Sequence, residues 1–288
     1  MSKIATYCHA VIPREKRWYV LFHLLWNYIC LLRLNLYKWM KGIKHPIVHY
    51  YAVCWNEERI LPYVLDYYKL FVDEFYIYDN HSTDKSIEII SSYEHTHVTF
   101  FETEGFSDTV HMNIKNSVWK QSRGRADYVV VCDMDELLYV EDVNTFLNQV
   151  LSNHYSYFVP YGYNMYAAAL PEYKKGIVIS DVLKRGVEAK NFNKAILFDP
   201  HRIVDINYTP GCHSSNPIGI VKKYHSPDFK LLHYKYIDID YLIARHSSYA
   251  KRLSADNLAN KYGIEYLKKI EQLQSEYEQG MREAKEII

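Results

Sequence analysis

The chain has 288 residues, 49% hydrophobic and 24% charged, with a mean hydropathy of -0.30; this profile fits a folded protein with a full core and excludes a disordered chain or a polytopic membrane protein. Thirty-four Lys and Arg balance thirty-four Asp and Glu, so no global field recruits nucleic acid, and none is expected as a partner. Five cysteines, Cys8, Cys30, Cys54, Cys132 and Cys212, form an odd set without CxxC spacing, which argues against a disulfide framework or a structural zinc and favours a reducing, cytoplasmic setting.

Residues 1–45 differ from the rest. Arg14, Lys16 and Arg17 precede an apolar run over 18–32, broken only by His23 and Asn27, and Arg33, Lys38, Lys41 and Lys44 follow. The run is short of the roughly 20 residues that a spanning helix needs, and it lacks a secretory cleavage site. Three readings stand: a helix lying in a membrane interface on the cytoplasmic face, a helix packed on the protein's own domain, and a true span. Pro46 is expected to end the segment.

From residue 47 the pattern alternates. Strands are expected over 47–54, 75–78, 97–101 and 128–132, with helices over 57–71, 85–93 and 108–121 between them. The α/β alternation predicts an open, mainly parallel sheet with helices on both faces, where ligands bind at the carboxyl ends of strands. Residues 46–136 would form a nucleotide-binding half. Residues 137–239, with short strand-like runs over 157–161 and 194–198, would form an acceptor half, and 240–288 would be charged helices.

Two stretches carry chemistry. Val129 to Cys132 delivers Asp133-Met134-Asp135-Glu136 at a strand end, so Asp133 and Asp135 are hard oxygen ligands on a rigid edge, suited to Mg²⁺ or Mn²⁺ bridging a diphosphate. Asn56-Glu57-Glu58 ends the first strand and Asp79-Asn80-His81-Ser82-Thr83-Asp84 the second. Carboxylates at these two tips outline a nucleoside pocket, or else simply cap the next helices. Lys194 and Arg202 are candidates for the diphosphate. The general base for an acceptor hydroxyl is left open among Asp181, Glu188 and His213.

In this order the three motifs resemble those of the family-two-like glycosyltransferases of GT-A fold. The likeness is closest to the branch whose Asp-x-Asp runs on into Glu-Leu and whose chain later carries His-Tyr, here His233-Tyr234. The resemblance covers residues 47–252. It implies uracil on Asp79, the ribose side on Glu57 or Glu58, the nucleotide-sugar on Asp133, and a metal, preferentially Mn²⁺, on Asp135 and His233 with Asp133. Asn116 would touch the donor, and His213 would lie near the site. His81 departs from the pattern, which usually has Gly there, and Asn80 stands where a second Asp is common. The implied activity is metal-dependent transfer of a hexose from a UDP-sugar to a glycan or glycolipid, with inversion, in surface polysaccharide or lipopolysaccharide synthesis. The alternatives are a non-catalytic nucleotide-sugar-binding protein of the same fold and a sugar nucleotidyltransferase. The second of these is disfavoured because residues 54–59 contain no glycine for a phosphate loop.

Overall fold

A computed structural model describes residues 8–288; the expectations for residues 1–7 and for the Cys8 thiol lie outside the described residues. Strand β1 (Cys8–Val11) precedes the long helix α1 (Arg17–Lys41). This helix extends well past the apolar run and stops at Gly42, not at Pro46. Gly42 has φ 67°, and its N–H donates back to the carbonyls of Lys38 and Trp39, a left-handed C-terminal cap. Then β2 (Val48–Cys54), α2 (Leu61–Tyr68), β3 (Glu74–Asp79), α3 (Ser86–Ser91) and β4 (Thr96–Phe100) alternate as the pattern predicts. Helix α4 (Asp108–Ser117) starts at Ser107, whose hydroxyl accepts from the Val110 N–H at 3.3 Å. After a 3₁₀ stretch at Val118–Ser122 comes β5 (Tyr128–Asp133).

The second half consists of β6 (Glu136–Tyr139), α5 (Val143–Ser152), β7 (Tyr157–Phe158), β8 (Tyr161–Tyr166), α6 (Ile179–Val182) and β9 (Arg185–Glu188). It continues with β10 (Leu197–Phe198), β11 (Ile203–Asp205), β12 (Ile218–Tyr224) and β13 (Lys230–Tyr236). Helices α7 (Ile239–Arg252), α8 (Ala255–Asn260) and α9 (Ile270–Glu283) lead to β14 (Lys285–Glu286).

The main sheet runs β1-β12-β7-β10-β5-β2-β3-β4, with β11 also on β12. Its β5-β2-β3-β4 part is the parallel sheet expected from the sequence. These strands are continuous apolar runs because both faces are covered. Tyr50, Tyr128, Val130 and Cys132 point into one core with α2, while Tyr51, Val129 and Val131 point into another around Trp119 and Phe198. A second sheet, β14-β9-β8-β13-β6, is built from the chain's short later strands. The flanking segments are joined to these sheets, β1 to β12 and β14 to β9.

Because β2 and β5 are parallel and adjacent, with Val53 opposite Asp133, their carboxyl ends release the Glu57 loop and the Asp133 turn side by side. Strand β13 pairs β6 with His233 opposite Glu136. That register carries the imidazole to the same edge.

Candidate active site

A cleft of about 500 Å³ opens at this edge, and its lining includes Glu57, Asp133, Asp135, Glu136, His213, His233 and Arg245. The second half of the chain therefore completes a site that the first half begins.

The Asp133 end is built from lysines. Lys115, on α4, donates to one carboxylate oxygen of Asp133, and Lys194 Nζ donates to the other at 3.3 Å. Lys194 also lies 2.6 Å from Glu136 Oε1, and both partners of that pair are about 1–2% exposed. Glu136 in turn accepts from the Asp133 N–H at 3.1 Å. Burial alone would raise the Asp133 carboxyl, but Lys115 and then Lys194 outweigh it and hold the group well below the usual carboxylate range. Its side chain remains 39% exposed to the cleft. It is thus an anion backed by two ammonium groups, shaped to accept from a ligand hydroxyl.

The Asp135 end is different. Asp135 Oδ2 stands 3.4 Å from His233 Nε2 and 3.4 Å from an Arg245 guanidinium nitrogen. His233 Nδ1 lies 2.8 Å from Asn164 Oδ1. An amide oxygen only accepts, so Nδ1 carries the proton and Nε2 is left to face Asp135. Phe192 stacks on the imidazole with ring centroids 4.0 Å apart, fixing its plane. Arg245 also donates to Glu57 Oε2 at 2.6 Å, and the Tyr241 hydroxyl adds a bond at 3.3 Å. Burial pushes the Glu57 carboxyl up to about 7 against the pull of Arg245. Lys235 lines the cleft with no carboxylate partner among the described residues, and burial lowers its pKa.

Asp135 and His233 are the pair that could hold a divalent cation, an oriented imidazole nitrogen facing a carboxylate oxygen, with the Arg245 guanidinium as the positive charge now beside that oxygen. Asp133 does not fit, since two ammonium groups at its oxygens would repel such an ion. Among the described residues no three His, Cys, Asp or Glu side chains converge on one point as a metal cage. Of the three expected ligands, Asp133 thus stands apart from the pair formed by Asp135 and His233.

Other expectations are corrected. Asp79 is fully buried, with both oxygens taken by its own loop: the Ser82 N–H donates at 2.8 Å and the Ser82 hydroxyl at 2.6 Å. It does not line the cleft. Asn56 and Glu58 brace the second loop instead of facing the main cleft, Asn56 Oδ1 accepting from the Thr83 N–H at 2.7 Å and Glu58 Oε2 from the Lys85 N–H at 2.9 Å. Asn116 points away and clamps Tyr208, accepting from its N–H at 2.7 Å and donating to its carbonyl at 3.1 Å. Lys194 is sealed against carboxylates and does not project toward a diphosphate, and Arg202 instead sits 3.5 Å from Asp199. Of the three base candidates, Asp181 on α6 and Glu188 on β9 are exposed outside the cleft. His213 lines it, with Nδ1 3.2 Å from the Asn191 carbonyl, and partial burial followed by Lys194 lowers its pKa.

Sequence reasoning missed Lys115, Glu136, Asn164, Lys235 and Arg245. The phase of α4 was the available signal for the first, because with Ser107 as cap, Asp108, His111 and Lys115 share one face and all three line the cleft. Arg245 follows Tyr241 by one helical turn, and the two touch at 3.0 Å.

No family model matches the chain, and no curated protein matches it. Solved structures similar to it include S. aureus TarS, at 12% identity and a TM-score of 0.41 over 71% of this chain and 39% of that one. S. aureus TarS 1-349 in complex with UDP is similar at 12% identity and a TM-score of 0.42, over 72% and 65%. GalNAc-T7 with UDP, GalNAc and Mn²⁺ is similar at 10% identity and a TM-score of 0.41, over 70% and 47%. The chain thus spans less than two thirds of the length of each.

Proposed function

We propose that this chain is a glycosyltransferase of GT-A type that moves a hexose from a UDP-sugar to a hydroxyl of a glycan or glycolipid, with inversion, in the assembly of a surface polysaccharide or lipopolysaccharide. The observation that carries the reading is the meeting of His233, from the second sheet, with the Asp133-Met134-Asp135 turn, from the first, in one cleft at the carboxyl ends of β2 and β5. Asp135 and His233 would hold Mn²⁺, which imidazole favours over Mg²⁺; the ion would neutralise charge on the departing diphosphate. Lys235 faces the same charge from the protein side. Asp133, fixed by its lysines, accepts from donor hydroxyls, and Arg245 holds Glu57 at the rim of the nucleoside side. His213, neutral at physiological pH, is placed to take the proton of the acceptor hydroxyl as the new bond forms.

Calorimetry of UDP binding with and without Mn²⁺, on the natural chain and on Asp135→Ala, tests this. At least a tenfold gain from Mn²⁺ is expected for the natural chain and none for the variant. Equal affinity in all four conditions overturns the metal assignment, and stronger binding of CDP or GDP overturns the choice of UDP.

A further inference from the structure

Helix α1 has two apolar faces. One is a narrow seam of Val20, Asn27 and Leu34, seven residues apart, buried on the domain. Val20 packs with Val204 and Ile218, and Leu34 with Ile47 and Ala126. Asn27 donates to the His201 carbonyl at 3.1 Å, and Lys38 pairs with Asp127 at 2.5 Å. These contacts pin the helix flat along its length.

The opposite face is apolar as well, and none of the described residues covers it. Trp18, Phe22, Leu25, Ile29, Leu32, Leu36 and Met40 recur at three- and four-residue steps opposite the seam and are 49–82% exposed. Thirteen of the twenty-one exposed large hydrophobics among the described residues lie on this one helix, so they form a patch on the order of 1,000 Å², where a soluble monomer exposes a few hundred.

Charge decides what covers it. Between residues 14 and 44 there are seven Lys and Arg and a single acid, Glu15. A second copy laid on this face would set cations against cations, with no carboxylate on the helix to meet them. A span would break the Asn27 and Lys38 contacts and bare Val204 and Ile218. An anionic bilayer surface satisfies these features: the outward row enters the acyl boundary, Trp18 and Trp39, 82% and 79% exposed at the two ends, seat at headgroup depth, and the cations other than Lys38, which is taken by Asp127, meet lipid phosphates. We propose that α1 is a membrane-interface helix that holds the chain flat on an anionic lipid surface. This goes beyond the proposed transfer reaction and does not depend on it.

The test uses the full chain with vesicles of phosphatidylcholine alone and of equal parts phosphatidylcholine and phosphatidylglycerol. At least tenfold more protein is expected to sediment with the anionic vesicles, with tryptophan emission shifted to the blue, and high salt should reduce this only in part. The combined Trp18→Ser, Phe22→Ser and Met40→Ser variant should keep the melting temperature, since these side chains face solvent, and lose at least tenfold of its vesicle binding. Equal sedimentation with both vesicles, or equal binding by variant and natural chain, overturns the proposal. A solution dimer that the variant dissolves, without vesicle binding, overturns it in favour of a second copy. Resistance of the bound chain to alkaline carbonate extraction overturns it in favour of a span.

Discussion

The two ends of the Asp133-Met134-Asp135 turn lie within one cleft and are compensated in opposite ways. At Asp133 the positive charge is permanent and belongs to the protein: Lys115 and Lys194 reach it from behind, both nearly sealed from solvent. At Asp135 the partners are an imidazole that can give up its role and a guanidinium shared with Glu57. Two carboxylates one residue apart thus divide the labour. The lysine-backed one is part of the scaffold and offers a fixed anion. The other is held by groups it shares with the rest of the cleft, and under the proposed function it is where an exchangeable cation would sit. A turn that left both aspartates equally bare would bind metal more avidly but would carry several uncompensated charges whenever empty.

The largest effect expected from breaking this contrast comes at the lysine end. Lys194→Met leaves Glu136 and Asp133 without their shared cation in a buried setting, and about 3–5 kcal/mol of stability should be lost in urea unfolding. A loss under about 1 kcal/mol would mean that the lysine end is not structural. At the other end, Asp135→Asn removes a buried carboxylate from Arg245 and His233 and should cost less than Lys194→Met in the same unfolding, since Arg245 keeps Glu57 as a partner, while lowering Mn²⁺-supported transfer by about 10²–10³-fold, the scale of one lost electrostatic partner at a reacting centre. Residual activity above a tenth of the natural rate would remove Asp135 from the metal site.

Smaller again is Asn164→Ala, which frees the proton of His233 Nδ1 and lets the ring turn. A rise of about 10–100-fold in the Mn²⁺ needed for UDP binding is expected, the usual weight of a residue that orients a metal ligand. The finest test concerns pH. Glu57 is raised to about 7 from an ordinary 4.5, so the folded state holds this proton more tightly than the unfolded one. Its contribution to stability is complete below about pH 4.5 and is lost as pH rises toward 7. Asp108, pushed up to about 6 by burial and Glu265, adds a slope of the same sign. His49, His111 and His246, lowered by burial to about 3, 4 and 3, add slopes of the opposite sign, so Glu57→Gln should make melting temperature rise more steeply with pH between 4.5 and 7 than in the natural chain, and an unchanged profile would place Glu57 in contact with water.

Much of the parallel sheet was legible because each of its strands is a local apolar run and each helix a local period. The cleft was legible in the same way through Asp133, Asp135 and Glu57, which follow directly from strand ends, and through His233 and His213. Ladder partners are set by pairings many residues apart, so the second sheet was not readable, nor was the arrival of Arg245 from α7. Asn116 and Lys115 differ by one position, and only helical phase separates a residue that clamps Tyr208 from one that anchors Asp133. Asp79 misled for a subtler reason: the residue type suits a base, but Ser82 three positions on closes the turn with both of its oxygens. The departure at His81 now has a meaning, since φ there is 51°, the left-handed conformation for which glycine is the usual choice.

The pairing of β1 with β12 sets Cys8 across from Lys222, and β14 closes the second sheet only with Lys285 and Glu286. A chain leaving the ribosome therefore makes its first strand about two hundred residues before the strand that receives it. Through that interval β1 has no native partner and α1 has only its carboxyl half placed, on Ile47, Ala126 and Asp127, while the parallel strands that follow can already assemble. Folding of this chain should be slow and vulnerable to association at its amino end during synthesis, and a chaperone or an early lipid contact at α1 would shorten the exposure more than any change in the stability of the finished fold.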